Sequence, residues 1–160
     1  MTIPITLGFS EYCKTFDPAP AHIKALGHEG KVDRWQIVDF TPPSFMALTV
    51  GVAKAGAGMT NAARDNLMLD RRTLHIATPE TDSKTHYFWT TVHEKGALTE
   101  DQEKLICEQS VETFHEDLVI LEAQKERYTN TIPRVDLAAD SALFQVRRVL
   151  NRLIENQLGH

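Results

Sequence analysis

The chain has 160 residues, 42% of them hydrophobic and 24% charged, with a formal net charge of −5, the proportions of a single globular domain large enough to bury a core. A negative balance argues against a nucleic-acid or anionic-membrane surface, and no apolar run is long enough to span a bilayer. The N-terminal residues lack the positive start and small-residue cleavage site of a signal peptide, and Cys13 and Cys107 fit reduced thiols, so the expected compartment is the cytoplasm.

Strand signals come first. Asp33 to Phe40 has an extended pattern, Pro42-Pro43 interrupts it, and Phe45 to Val52 is rich in strand formers. Ala55-Gly56-Ala57-Gly58 reads as a turn. Asn66 to Thr78 carries Leu67, Leu69, Leu74 and Ile76, and Pro79 to Ser83 is a turn signal. Thr85 to Val92 alternates, with Tyr87 and Trp89 on one face and His86, Phe88 and Val92 on the other. The two segments are expected to form an antiparallel hairpin of long strands.

Helical signals follow. Thr99 and Gln102 have capping-box spacing, and Glu100 and Asp101 suit a helix start. Val111, Phe114, Leu118 and Leu121 then recur at helical spacing, which predicts a buried stripe. A loop is expected over Asn130 to Leu137. A last helix is expected from Asp140, an N-cap candidate, to about Glu155, with Leu143, Val146, Leu150 and Leu153 as its stripe and Arg147, Arg148 and Arg152 on its wet face. Strands followed by helices predict an α+β fold within one domain, residues 1–160.

Asp117 is the first candidate for chemistry. On an ideal helix it lies within roughly 60° of both Phe114 and Leu121, beside the expected stripe. A carboxylate there either pairs with a cation, ends a helix segment or binds a metal. His75 is the second: it is either a structural sheet histidine or a pocket group able to donate near neutral pH. Trp89, Phe88 and Tyr87 either line an aromatic pocket or belong to the core.

Two segments carry a resemblance: His75-Ile76-Ala77-Thr78-Pro79-Glu80-Thr81 leading to Thr85-His86-Tyr87-Phe88-Trp89, and Phe114-His115-Glu116-Asp117-Leu118 to Glu122. Val32-Asp33-Arg34-Trp35-Gln36, Thr41-Pro42-Pro43-Ser44, Gly51-Val52-Ala53 to Gly58, and Asp140 through Leu150 extend it. Together, from about residue 30 to the end, they resemble the C-terminal part of the catalytic domain of Rieske-type aromatic ring-hydroxylating oxygenases, of the vanillate O-demethylase kind.

The resemblance implies a helix-grip (START-like) antiparallel sheet closed over by a long C-terminal helix. It also implies an aromatic-acid monooxygenase or O-demethylase pocket for aromatic catabolism. Asp117 falls on the family's iron carboxylate, one arm of a two-His, one-carboxylate Fe(II) site, with the other ligands from outside this chain. His75 falls on a substrate-contacting position, and Trp89 and Phe88 on the neighbouring aromatic strand. A reductase, a Rieske-domain chain and a homotrimer are the implied partners, besides a small aromatic ligand.

A Rieske cluster needs Cys-x-His and Cys-x-x-His. Cys13 precedes Lys14-Thr15 and Cys107 precedes Glu108-Gln109-Ser110, so these residues hold no [2Fe-2S] motif. His22 and His28 are spaced six residues apart, roughly 120° around an ideal helix, which is poor geometry for one metal face. Activity of the chain alone is therefore not expected. The alternative is a stand-alone helix-grip domain that binds a small aromatic ligand without turning it over.

Overall fold

The computed structural model describes residues 7–18, 20–58, 66–125 and 140–159, with the backbone alone for 9–14 and 20–22. Five strands form an antiparallel meander in the order β1 (Leu7–Phe16), β2 (Val32–Thr41), β3 (Phe45–Lys54), β4 (Leu67–Thr81) and β5 (Lys84–His93). Helix α1 (Pro20–Leu26) links β1 to β2, and α2 (Glu100–Lys125) and α3 (Ser141–Leu158) follow the sheet. The expected α+β layout of antiparallel sheet and long C-terminal helix is the one observed. No helix among the described residues is long and apolar enough to cross a membrane.

Pairing register decides which side chains share a face. Arg34 faces Val52, Val50 faces Arg71, Met46 faces His75, and His75 faces Trp89. These positions make up the helix-side face. At one end, Val32, Val52 and Leu69 pack with Ala25 of α1 and Ile106 of α2 into the main core. The expected capping box is present: the Thr99 N–H donates to Gln102 Oε1 at 2.9 Å and the Gln102 N–H to Thr99 Oγ1 at 3.3 Å. The Gln102 amide also donates to the Ala25 carbonyl at 3.1 Å, fastening α2 to α1. At the far end of α2, Lys125 Nζ donates to the Ser83 carbonyl at 2.7 Å, so the helix runs over the sheet to the β4–β5 turn.

On the opposite face Trp35 is buried over Gly51, its cross-strand partner. A Cβ at residue 51 would overlap the indole ring, so only glycine leaves room for it. Gly51→Ala should therefore force the indole off its site and cost about 2 kcal/mol, the usual range for overpacking, measurable by urea unfolding with tryptophan fluorescence.

Two expectations need correction. The hairpin turn is at Asp82-Ser83, and β4 runs through Pro79 to Thr81. The stripe on α2 is not buried at Val111, Leu118 or Leu121 (61% exposed for Leu121); burial falls instead on Ile106 and Ser110, with Phe114 half-buried. These three lie four residues apart, and only the first half of α2 lies over the core. Asp140 takes the N-cap position of α3 without a side-chain capping bond. β1 and α1 were not anticipated. The loop expected over 130–137 lies outside the described residues. Cys107 is a free, exposed thiol.

Candidate functional site

Two cavities lie on the helix-side face, and Phe114 of α2 stands between them. The upper one, about 530 Å³, is lined by Val38, Phe40, Met46, His75, Ala77 and Tyr87 of the sheet and by Leu143, Val146 and Leu150 of α3. Its walls are mainly apolar, with an imidazole and a phenol as fixed polar groups, the usual make-up of a small-molecule pocket. Of the stripe predicted for α3, Leu143, Val146 and Leu150 line it and Leu153 does not. The lower cavity, about 300 Å³, lies between β2–β4 and the first half of α2, and Phe114 forms part of its wall.

His75 is 6% exposed. Its Nδ1 shares a short hydrogen bond with the Tyr87 hydroxyl, two residues along the neighbouring strand from its direct partner Trp89. Burial lowers the His75 pKa, so the ring is neutral at pH 7. Burial first, and then the negative charge of Asp117, raise the pKa of Tyr87, so the phenol keeps its proton. When that proton is donated to Nδ1, Nε2 carries the ring hydrogen and is itself a donor. Nε2 is buried and has no hydrogen-bond partner among the described residues. The ring is held from the side by Phe114, edge-on at 5.7 Å between centroids.

Phe114 also meets Tyr87 edge-on at 6.0 Å and Trp89 at 4.8 Å. Of the aromatic candidates, Trp89 thus buttresses Phe114 and is not among the residues that line the upper cavity. Phe88 does not reach the cavity: strand alternation turns it to the opposite face, where it is 58% exposed and stacks on His86. Tyr87, one of the aromatic candidates, does line the upper cavity, whereas Phe114, Arg34 and Arg71, which line the lower one, were not put forward by sequence reasoning. Alternation already put Tyr87 beside Trp89, but the register that sets it next to His75 is a tertiary fact.

Asp117 is exposed on α2, three residues beyond Phe114 and near enough to Tyr87 to act on its phenol. Being exposed, the carboxylate carries no burial cost. No three His, Cys, Asp or Glu side chains gather to hold a metal among the described residues. α1 packs at the start of α2, and Asp117 is 15 residues beyond Gln102, about 22 Å along the helix, so His28 and Asp117 do not meet. The side chain of His22 lies outside the described residues.

In the dicamba monooxygenase structure bound to 3,6-dichlorosalicylic acid, 99% of this chain superposes on 48% of that chain, with a TM-score of 0.84 and 23% identity. At that identity the likeness is one of fold. A dicamba monooxygenase structure with non-heme iron and dicamba gives a TM-score of 0.61 at 21% identity, over 99% of this chain and 49% of that one. Among curated proteins, a vanillate O-demethylase oxygenase subunit from a Pseudomonas species is 35% identical over 135 residues, 81% of this chain and 40% of that protein. The toluene-4-sulfonate monooxygenase system iron-sulfur subunit TsaM1 of Comamonas testosteroni is 31% identical over 145 residues, 89% of this chain and 42% of its own length. The chain thus spans about two fifths of the length of these curated relatives. Residues 2–156 match the family described as the vanillate O-demethylase oxygenase C-terminal domain, and the chain belongs to that family.

Proposed function

We propose that the chain forms the substrate pocket of a Rieske-type monooxygenase or O-demethylase of aromatic acids and works within a longer assembly. The observation that carries this reading is the upper cavity, apolar on most sides, with the neutral His75 ring braced by Tyr87 and Phe114. An aromatic ring fits the apolar walls. His75 Nε2, a donor left without a partner among the described residues, is the group to meet the ligand's carboxylate or hydroxyl. Vanillate, named by one relative, is the ligand of choice for a test.

The described residues do not by themselves make an iron site. Asp117 is one exposed carboxylate, whereas a facial triad needs three donors. In this reading Asp117 supplies the carboxylate and the rest of the assembly the other ligands, the cluster domain and the contact with a reductase. The exposed Leu118, Val119, Ile120 and Leu121 on α2 favour such an assembly over a stand-alone carrier, because a run of apolar residues around a helix implies a covering surface.

Titrating the chain with vanillate by equilibrium dialysis should give saturable binding at pH 7. His75→Ala should weaken it about 10-fold, the loss of one hydrogen bond to a charged group. Equal affinity in wild type and variant would remove His75 from the site, and no saturable binding would remove the pocket.

A further inference from the structure

The lower cavity contains a feature that the proposed function does not use. Arg34 on β2 and Arg71 on β4 flank Val50 and Val52 of β3 on the helix-side face, and both line the cavity. The Nε atom of each guanidinium is buried and has no hydrogen-bond partner among the described residues. Arg71 Nη1 donates to Ser110 Oγ at 3.3 Å, and that hydroxyl is already turned to the Ile106 carbonyl at 2.8 Å. The contacts of His86 with Glu80 and of His93 with Glu103 involve neither arginine.

Two like charges beside each other in a partly closed space are unfavourable without a counter-charge. Burial, and then the charge of Arg34, lower the pKa of Arg71. A guanidinium nevertheless stays protonated at neutral pH, so the cavity carries two positive charges. Each planar fork matches the two oxygens of a carboxylate. The apolar floor of Leu48, Val50 and Leu69 can carry a small hydrocarbon body, and the volume of about 300 Å³ is that of a small-ligand pocket.

We propose that Arg34 and Arg71 form an oxyanion site that takes the carboxylate of a small organic acid, with the acid's apolar body resting on Leu48, Val50 and Leu69. The site is separate from the His75 cavity, with Phe114 between them, and does not depend on what the upper cavity binds.

The test is NMR of the arginine Nε–Hε signals in the ¹⁵N-labelled full chain, titrated with benzoate, acetate or benzamide at constant ionic strength. The expected result is that the Arg34 and Arg71 signals move together and saturate with benzoate at least tenfold below acetate, while benzamide moves neither. Arg71→Gln should weaken benzoate at least tenfold. Without anion it should melt no lower than wild type, because a like-charge repulsion is gone. With benzoate, only the wild type should gain several degrees. Arg34→Lys, which keeps charge and loses the fork, guards against a misfolded Gln variant and should also bind more weakly. His75→Gln should leave the arginine shifts unchanged. Linear, unsaturated shifts, equal binding of benzamide, equal binding of acetate and benzoate, unweakened binding in both arginine variants, or loss of the shifts in His75→Gln would each overturn the proposal.

Discussion

Asp33→Asn is expected to lower the unfolding free energy by about 3 kcal/mol, from the loss of charge-assisted hydrogen bonds and the unpaired donors left behind. Asp33 is fully buried near the start of β2. Its Oδ1 accepts from the Thr15 N–H at 2.8 Å and the Thr15 hydroxyl at 3.2 Å, and its Oδ2 from the N–H groups of Gly56 at 3.0 Å and Gly58 at 2.8 Å. One carboxylate thus closes two irregular backbone segments. The first is the shifted register of β1 between Cys13 and Phe16, where Thr15 has φ 52°. The second is the turn after β3, where Gly56 and Gly58 have φ 88° and 65°, values that favour glycine. An Asn in the same place would turn an NH₂ group towards N–H donors.

The pH dependence has a definite sign. Burial works to raise the pKa of Asp33, but the bonds from Gly58, Thr15 and Gly56 outweigh it, and the folded-state pKa is lowered. The unfolded chain therefore binds this proton more readily. The stabilisation is fully present above the unfolded value of about 3.9 and is lost as pH falls through the folded value below it. Urea unfolding at pH 7 and at pH 3 should show the gap between wild type and Asp33→Asn narrowing in acid. A gap that is constant with pH would mean that the carboxylate's charge plays no part.

Much of this arrangement was legible from residue types, but not its purpose. Asp33 to Phe40 and Phe45 to Val52 read as strands, and Ala55-Gly56-Ala57-Gly58 as a turn. Nothing local says that Asp33 binds the Gly56 and Gly58 amides, or that Gly51 is small because Trp35 covers it. Both are cross-strand facts set by register. β1 escaped because its apolar residues change parity: Leu7 and Phe9 alternate, Tyr12 breaks the pattern, and the register then shifts before Phe16. The α2 stripe failed for a different reason. Periodicity reports which side of a helix is apolar, not whether anything covers that side, and the helix keeps its core contacts at Ile106, Ser110 and Phe114 while Leu118 and Leu121 remain exposed. Type and pattern make His75 and Asp117 candidates but pass over Arg34 and Arg71, because an arginine on a strand reads as surface until its neighbours are known.

Phe114→Ala should cost about 2–3 kcal/mol, below the full range for a buried phenylalanine because this ring is half-buried, and should change what the site accepts. The ring touches His75, Tyr87 and Trp89 at once and forms a wall of the lower cavity. Its removal takes away the edge contact that steadies the imidazole and opens one cavity to the other. In the proposed pocket, the variant should lose affinity for a one-ring acid such as vanillate by several-fold and gain it for the longer 1-naphthoate, whose second ring would occupy the vacated space. Phe114→Leu, which fills much of the volume without the aromatic edge, should recover most of the stability and restore the preference for the smaller acid. The measurement is a pair of dialysis isotherms for each variant, alongside urea unfolding. If Phe114→Ala loses stability while its ranking of the two acids stays that of the wild type, the ring is a packing group only, and the wall between the cavities has no part in selecting the ligand.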